Sequence, residues 1–205
     1  MVKQCIIILT RYPKPGQTKT RLIPVFGAEK SAFLSRKMTE ETLQKVQKTS
    51  VNFEIHFSGC EQNLMQHWLG DHITYFPQIS GNLGEKMSHI CENTLIKYPD
   101  GIIMIGTDCP QLSTQILQDG LNYILTHDLV LGKAEDGGYY LIGMRNFIPQ
   151  LFHNISWSTS LVFQQTVNIA QSLNLTMAFL PTLRDIDLPE DVYFYENFCN
   201  YSCFK

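Results

Sequence analysis

One aspartate stands directly after a short apolar run, and its position favours a role in binding or catalysis. Asp108 belongs to residues 106–110 (GTDCP), which follow the apolar residues 102–105 (IIMI). An apolar run of this length, bounded by glycines, predicts a buried strand rather than a helix. Pro110 ends that strand because proline lacks an amide hydrogen and fixes φ. Asp108 is therefore expected at the carboxyl end of a strand, where α/β sheets bind their ligands.

The alternative role for Asp108 is to cap the helix that begins near Ser113, since aspartate is a common N-cap residue. Ser113 lies closer to the predicted start of that helix and fills the cap role better. We therefore expect the carboxylate of Asp108 to be free for function.

A second group of carboxylates occurs in residues 184–191 (RDIDLPED). Asp185 and Asp187 are two positions apart, so in an extended segment their side chains point to the same side. Together with Asp108 they form a candidate site for Mg²⁺ or Mn²⁺, because a hard divalent cation takes carboxylates plus substrate oxygens. The alternative is that Asp187 or Asp191 only stabilises the N-terminus of a following helix.

A basic loop follows the first predicted strand, at the place where nucleotide phosphates commonly lie in α/β folds. Its four cationic residues are Arg11, Lys14, Lys19 and Arg21. Pro15 and Gly16 suit the centre of a type II turn, in which glycine takes a positive φ. We expect Lys19 and Arg21 to contact phosphate oxygens, Arg21 with bidentate geometry. The glycines of a Walker loop are missing, and a solvated basic loop is the alternative.

Two glycine-containing segments are further candidates. In residues 135–140 (EDGGYY), Gly137 and Gly138 allow the backbone to approach a ligand closely. A tight hairpin turn before the next strand explains the same glycines more simply. Gly84 lies at the start of a predicted helix, whose exposed amides can receive an anion or a base edge. A plain helix start is equally economical.

The elements that must position these residues follow from hydrophobic periodicity. Strands are predicted at residues 4–10, 51–57, 73–76, 102–105, 129–132, 139–143 and 175–180. Helices are predicted at residues 31–46, 83–95, 116–125 and 162–173, and from Pro189 onward. This alternation predicts a mainly parallel sheet. No linker or repeat interrupts the chain, so residues 1–205 are predicted to form one domain.

Composition excludes several classes of protein. The chain has 205 residues, 44% of them hydrophobic and 17% charged, with a net charge of −3. It carries no basic stripe, so nucleic acid is not an expected partner. No apolar stretch is long enough for a membrane span or a secretory signal, which predicts a cytoplasmic protein. Cys199 and Cys203 have no matching second pair, so no zinc site is predicted.

The order of these motifs resembles the DUF2064 family, also called radical-SAM/selenodomain-associated transferase 1. The resemblance extends from Ile6 to about Asp191. Lys86 stands where arginine is expected in this family, which keeps the charge but loses the guanidinium fork. The segments that carry the resemblance are residues 13–16 (PKPG), 19–22 (KTRL), 83–87 (LGEKM), 106–110 (GTDCP), 136–141 (DGGYYL) and 185–191 (DIDLPED).

The resemblance implies the GT-A fold of nucleotide-diphospho-sugar transferases, an α/β architecture with a mainly parallel central sheet and helices on both faces. It implies that Asp108 corresponds to the metal-binding DxD motif, although this segment has only one aspartate. Asp185 and Asp187 are expected to supply the missing carboxylates. The residues expected to bind the nucleotide are Pro15, Gly16, Lys19, Arg21, Gly84, Lys86, Thr107, Gly137 and Gly138.

The function implied is metal-assisted transfer from an activated nucleotide to a small acceptor. In a glycosyltransferase the donor is a nucleotide sugar, with Asp108 as a catalytic metal ligand and Asp136 orienting or deprotonating an acceptor hydroxyl. The loop at residues 19–22 is also similar to that of phosphoenolpyruvate and 2-phospholactate guanylyltransferases. That similarity implies an alternative, nucleotidyl transfer from a nucleoside triphosphate to a small phosphate or carboxylate. A non-catalytic nucleotide-binding module is the third possibility.

Overall fold

The computed structural model describes residues 2–199, with side chains through residue 195. Residue 1 and residues 200–205, including Cys203, lie outside the described residues, as does the side chain of Cys199. The strands are β1 (Cys5–Arg11), β2 (Asn52–Ser58), β3 (Thr74–Pro77), β4 (Ile102–Ile105), β5 (Leu129–Ala134), β6 (Tyr139–Met144) and β7 (Met177–Leu183). They form one sheet in the order β3-β2-β1-β4-β6-β5-β7. Strand β6 runs antiparallel to β4 and β5, and the other neighbouring strands are parallel.

Seven α-helices connect or flank the described strands. They are α1 (Ile23–Phe26), α2 (Ala28–Gln47), α3 (Gln62–Leu69), α4 (Leu83–Lys97), α5 (Thr114–Ile124), α6 (Val162–Ser172) and α7 (Pro189–Cys199). Two short 3₁₀ helices lie at Thr20–Leu22 and Pro149–Phe152. The parallel strands joined through helices confirm the predicted α/β class with a mainly parallel central sheet. None of the described helices combines the length and apolarity needed to cross a membrane.

Alternation along β1 divides the core between the two faces of the sheet, because successive strand residues point to opposite sides. Ile6 and Ile8 belong to a cluster that includes side chains of α2 and α5. Cys5 and Ile7 belong to a second cluster, with side chains of α4 and α6. Helices therefore cover both faces, as predicted. A third cluster joins α2 and α7 to Ile186, which is fully buried.

The observed elements differ from the predictions in several places, and two of the differences have a clear physical reason. Helix α3 was not predicted because its eight residues are too few for helical periodicity to be recognised. Strand β7 ends at Leu183, three residues beyond the predicted end, and includes Pro181. Proline is tolerated there because β7 lies at the edge of the sheet, where one side of the backbone needs no partner strand.

Candidate active site

A cavity of about 820 Å³ opens where the parallel strands end. Its wall includes Thr10 and Arg11 from the end of β1, Ser58 from the end of β2, and the segment 106–109 that follows β4. This is the edge of an α/β sheet at which ligands bind. The cavity is also lined by the charged residues Lys19, Arg21, Lys86, Asp108, Asp136, Asp185 and Asp187.

Asp108 points into this cavity and does not cap a helix. Ser113 is the N-cap of α5, and its hydroxyl accepts a hydrogen bond from the amide of Ile116 at 3.2 Å. The backbone carbonyl of Asp108 accepts the amide of Ile186 at 2.9 Å, while its side chain is 49% exposed. The loop after β4 is thus tied to the acidic segment, and the carboxylate is left facing the cavity.

Asp185 and Asp187 both line the cavity because the residue between them is anchored in the core. The side chain of Ile186 is buried in the third cluster. The two flanking carboxylates therefore point the other way, which agrees with the alternation expected of an extended segment. Asp191, rather than Asp187, plays the capping role, since its Oδ2 accepts the amides of Asp187 and Leu188.

Lys19 reaches the carboxylates from the opposite part of the chain. Its Nζ lies 3.0 Å from Asp108 Oδ1 and 3.6 Å from Asp187 Oδ1, and it donates to the carbonyl of Ile186 at 2.6 Å. Burial alone would lower the pKa of Lys19, but the two carboxylates outweigh it and raise that pKa above its ordinary value. The side chain is 6% exposed and remains a buried, charged ammonium.

The backbone of Lys19 adopts the left-handed conformation, with φ 49° and ψ 48°. For a residue with a side chain this conformation costs about 1–3 kcal/mol, and such strain is concentrated at functional sites. The turn before it is the predicted one: the amide of Gln17 donates to the carbonyl of Lys14 at 3.1 Å, and Gly16 has φ +79°. The strained loop aims the lysine at the acidic segment.

Arg21 forms an ion pair with Asp187 and is 66% exposed at the rim of the cavity. Phosphate contacts by Lys19 and Arg21 remain predictions. The arrangement in the structure is that both cations balance carboxylates, since Lys19 contacts Asp108 and Asp187 and Arg21 contacts Asp187.

Asp136 lies in a hairpin turn between β5 and β6, as the more economical interpretation of its glycines predicted. Its Oδ1 accepts the amide of Gly138 at 2.7 Å, and Gly137 has φ +90°. A Cβ at Gly137 would lie 2.3 Å from the carbonyl oxygen of Ser160. The close approach at Gly137 is thus to the protein's own backbone, and a ligand contact at this glycine stays a prediction.

Gly84 also makes room for a protein group. A Cβ at this position would lie 2.2 Å from Nε1 of Trp157, so the indole packs directly on the helix backbone. The start of α4 is closed by a capping box in which Asn82 and Glu85 accept each other's backbone amides. The plain helix start and packing against Trp157 are therefore sufficient to explain Gly84, and its contact with a nucleotide stays a prediction.

The remaining predicted residues divide into two groups. Lys86, Thr107 and Gly138 line the cavity, and the hydroxyl of Thr107 accepts a hydrogen bond from Thr39 at 3.3 Å. Pro15 and Gly16 are exposed and form the turn that precedes Lys19, without lining the cavity. In the structure they shape the loop, and their ligand contact stays a prediction.

The structure adds cavity residues that the sequence did not single out. Gln78 follows β3, and its side-chain amide donates to the carbonyls of His56 at 2.9 Å and Thr10 at 3.4 Å. The sequence feature that could have identified Gln78 as a cavity residue was its position after a predicted strand. The hydroxyls of Ser158, Thr159 and Ser160 line the cavity beside Trp157, and no periodic pattern marks that loop.

Cys109 is adjacent to Asp108 but does not have the character of a nucleophile. Burial, reinforced by the charge of Asp108, raises the pKa of its thiol well above the ordinary range. A thiol that stays protonated is unreactive, since the thiolate is the nucleophile. Cys109 packs instead in the core cluster below the site.

Asp185 is a cavity carboxyl group whose pKa is shifted mainly by its burial. Burial, and after it the charge of Asp136, raises the pKa of Asp185 from 3.8 to about 6. A carboxyl group with a raised pKa binds its proton more tightly in the folded state, so the free energy of unfolding falls as pH rises from about 4 to about 6.

Replacing Asp185 with asparagine is therefore expected to stabilise the metal-free protein at pH 7.5 and to leave it nearly unchanged at pH 4. We expect a gain of roughly 1–2 kcal/mol in the free energy of unfolding at pH 7.5, after allowance for solvent screening. Urea unfolding in EDTA at both pH values measures it. Asp71→Asn, at an exposed position outside the cavity, is the control. An equal gain in both variants contradicts the assignment.

The cavity contains carboxylates that suit a divalent cation, although they do not form a complete set of metal ligands. Among the side chains that the structure describes, no group of three or more His, Cys, Asp or Glu residues has metal-site geometry. Asp108, Asp185 and Asp187 nevertheless share one cavity. Carboxylate oxygens are the ligands that Mg²⁺ and Mn²⁺ prefer, so these residues fit such an ion.

Solved structures of other proteins share this fold. The crystal structure of a "putative nucleotide-diphospho-sugar transferase" from Desulfovibrio desulfuricans G20 has a TM-score of 0.91 at 30% sequence identity, covering 100% of this chain and 93% of that chain. The 4-diphosphocytidyl-2C-methyl-D-erythritol synthase of Anaerococcus prevotii DSM 20548 has a TM-score of 0.66 at 11% identity, covering 98% and 100%. The first supports the predicted transferase class, and both have the fold predicted here.

A third similar structure contains a metal. The manganese complex of Rv0371c from Mycobacterium tuberculosis H37Rv has a TM-score of 0.57 at 11% identity, covering 94% of this chain and 97% of that chain. No curated protein matches this sequence. The sequence model of DUF2064, described as an uncharacterized protein conserved in bacteria, matches residues 42–159, more than half of the chain. With this match and the relative of 30% identity, the chain belongs to the DUF2064 family.

Proposed function

We propose that this protein transfers a sugar from a nucleotide-diphospho-sugar to a small hydroxyl-bearing acceptor, with the help of a divalent cation. One observation carries the proposal: four carboxylates from three separate segments share the cavity at the strand ends with Lys19 and Arg21. The relative of 30% identity, described as a nucleotide-diphospho-sugar transferase, supports the donor class.

In this proposal the acidic residues bind the cation and the basic residues bind the diphosphate. Asp108, Asp185 and Asp187 are the groups that would hold Mg²⁺ or Mn²⁺. When bound, that ion supplies charge stabilisation to a leaving diphosphate. Arg21, exposed at the rim, is placed to bind diphosphate oxygens, and its planar guanidinium suits them. Lys86 adds a second positive charge from α4.

Asp136 is the candidate for the acceptor side. Its Oδ1 is held by the amide of Gly138, which fixes the orientation of the carboxylate in the hairpin turn. Its other oxygen remains to accept the proton of an acceptor hydroxyl, the general-base role. The hydroxyls of Ser158 and Thr159 and the indole of Trp157 line the same cavity and offer the contacts that a polar acceptor needs.

Nucleotidyl transfer is the second candidate, because several similar folds are nucleotidyltransferases by name. Besides the Anaerococcus protein, CMP:2-keto-3-deoxy-manno-octonic acid synthetase complexed with CTP has a TM-score of 0.58 at 10% identity. In the nucleotidyl transfer considered for this chain, a small phosphate or carboxylate attacks the α-phosphorus of a nucleoside triphosphate, and pyrophosphate leaves. The same carboxylates and cations serve both reactions.

The released product distinguishes these reactions. We expect the purified chain, incubated with nucleotide sugars, sugar or polyol acceptors and Mn²⁺, to release nucleoside diphosphate and to stop doing so in EDTA. Chromatography of the nucleotides measures the product, and boiled protein is the control. Release of pyrophosphate from nucleoside triphosphates would identify nucleotidyl transfer. Tight nucleotide binding without any product would identify a non-catalytic module.

A further inference from the structure

The ammonium group of Lys19 occupies the position that a divalent cation would need. It contacts one oxygen of Asp108 at 3.0 Å and one of Asp187 at 3.6 Å, and thus lies between the two carboxylates. A magnesium ion binds carboxylate oxygens at about 2.0–2.1 Å, inside the space that the ammonium fills. An ammonium and a divalent ion so close together would also repel each other strongly.

Lys19 is built into this position and does not reach it by chance as a mobile surface side chain. Its backbone is held in the left-handed conformation, its side chain is 6% exposed, and the carbonyl of Ile186 is a third acceptor for the ammonium. Ile186 is itself buried and hydrogen-bonded to the carbonyl of Asp108. Core packing of Ile186 therefore fixes the acceptor side of the contact.

The charges of the cavity explain why a resident cation is needed. Asp108 and Asp187 contact Lys19, and Asp136 and Asp185 lie close enough to add to the negative potential. Arg21 compensates only Asp187, from the exposed rim. Without the ammonium, Asp108 would face the other carboxylates with no ion-pair partner among the described residues.

We propose that Lys19 is an internal counter-ion that competes with the divalent cation for Asp108 and Asp187. In the empty protein its ammonium fills the gap between the two carboxylates, and binding of the cation requires its flexible side chain to leave. A diphosphate entering the cavity offers Lys19 new acceptor oxygens. Diphosphate and cation consequently favour each other's binding, because each removes a cost that the other faces. This inference rests on the proposed function, since it takes the gap to be the cation site.

Binding of manganese chloride to the full-length chain, without nucleotide, tests the inference. The sharp electron paramagnetic resonance lines of free Mn²⁺ disappear on binding, so titration gives the dissociation constant. We expect Lys19→Met to bind Mn²⁺ more tightly than wild type by on the order of tenfold or more, within the usual range of coupling between sites. Lys19→Gly should do the same. Because glycine adopts the left-handed conformation without strain, this variant replaces Lys19→Met if the methionine variant folds poorly.

Two control variants separate a local effect from a general one. Lys48→Met removes a positive charge from an exposed position outside the cavity and should bind Mn²⁺ as wild type does. Adding Asp108→Asn to Lys19→Met should abolish the gain. The inference is overturned if the Lys19 variants bind Mn²⁺ no more tightly than wild type, if Lys48→Met gives the same gain, or if the double variant retains it.

The outcome is independent of the transferase assay. If wild type releases no nucleotide product while Lys19→Met gains Mn²⁺ affinity through Asp108, the counter-ion role stands and the proposed function fails. If wild type shows Mn²⁺-dependent turnover and the Lys19 variants gain no affinity, the function stands and the counter-ion role fails.

Discussion

Asp108→Asn is expected to reduce divalent-cation-dependent transfer by roughly 10³-fold, because stabilising a developing charge through a metal is worth several kcal/mol and each 1.36 kcal/mol is about tenfold in rate. The substitution keeps the size of the side chain and removes its charge. Asp108 stands at the centre of the site, with Lys19 at 3.0 Å and its own carbonyl bonded to Ile186. No other carboxylate in the described segment after β4 takes its place.

The measurement is the initial rate of nucleoside diphosphate release at saturating Mn²⁺, with thermal melting to show that the variant is folded. Asp119→Asn is the matched control, because Asp119 is a half-buried carboxylate of α5, the helix that follows the Asp108 loop, and does not line the cavity. It should retain wild-type turnover. A folded Asp108→Asn protein with more than a tenth of wild-type activity would show that Asp108 is not a metal ligand in the reaction.

The strands were the most predictable part of the fold. Strand β4 has the predicted bounds of residues 102–105, because four consecutive apolar residues between glycines leave few alternatives. The sharing of one cavity by Asp108, Asp185 and Asp187 also followed from sequence, since the carboxyl ends of parallel strands lie on one edge. Local sequence patterns were sufficient to predict the bounds of a strand and the residues that lie at its end.

The details of the site depend on contacts between distant segments, which local patterns do not encode. Lys19 pairs with Asp108 and Asp187 only because the strained loop after β1 closes over the segment that follows β7. Gly84 is explained by Trp157, which belongs to a loop far along the chain. Sequence therefore identified the charged residues of the site but not the contacts that Lys19 and Gly84 make with distant segments.

A hairpin glycine behind the site is expected to be the most sensitive position for stability. Gly137→Ala should lower the free energy of unfolding by about 3 kcal/mol or more, since two costs add. Its φ of +90° is unfavourable for any residue with a side chain, which costs roughly 1–2 kcal/mol. The added Cβ would also lie 2.3 Å from the carbonyl oxygen of Ser160, a backbone atom that has little freedom to move.

Gly16→Ala is the control that isolates the first of these costs. Gly16 has a similar φ of +79°, but an added Cβ there would meet no atom within 4 Å. Urea unfolding should therefore show a loss of about 1 kcal/mol for Gly16→Ala and a much larger loss for Gly137→Ala. Equal losses would mean that Ser160 moves away without cost.

Because the amide of Phe163 donates to the carbonyl of Gly137 at 3.0 Å, that movement would separate the Asp136 turn from the wall carrying Ser158, Thr159 and Ser160. If the two walls of the cavity stay together, the clash is not relieved and the full loss in the free energy of unfolding is observed. The size of the loss for Gly137→Ala therefore measures how rigidly the cavity is built.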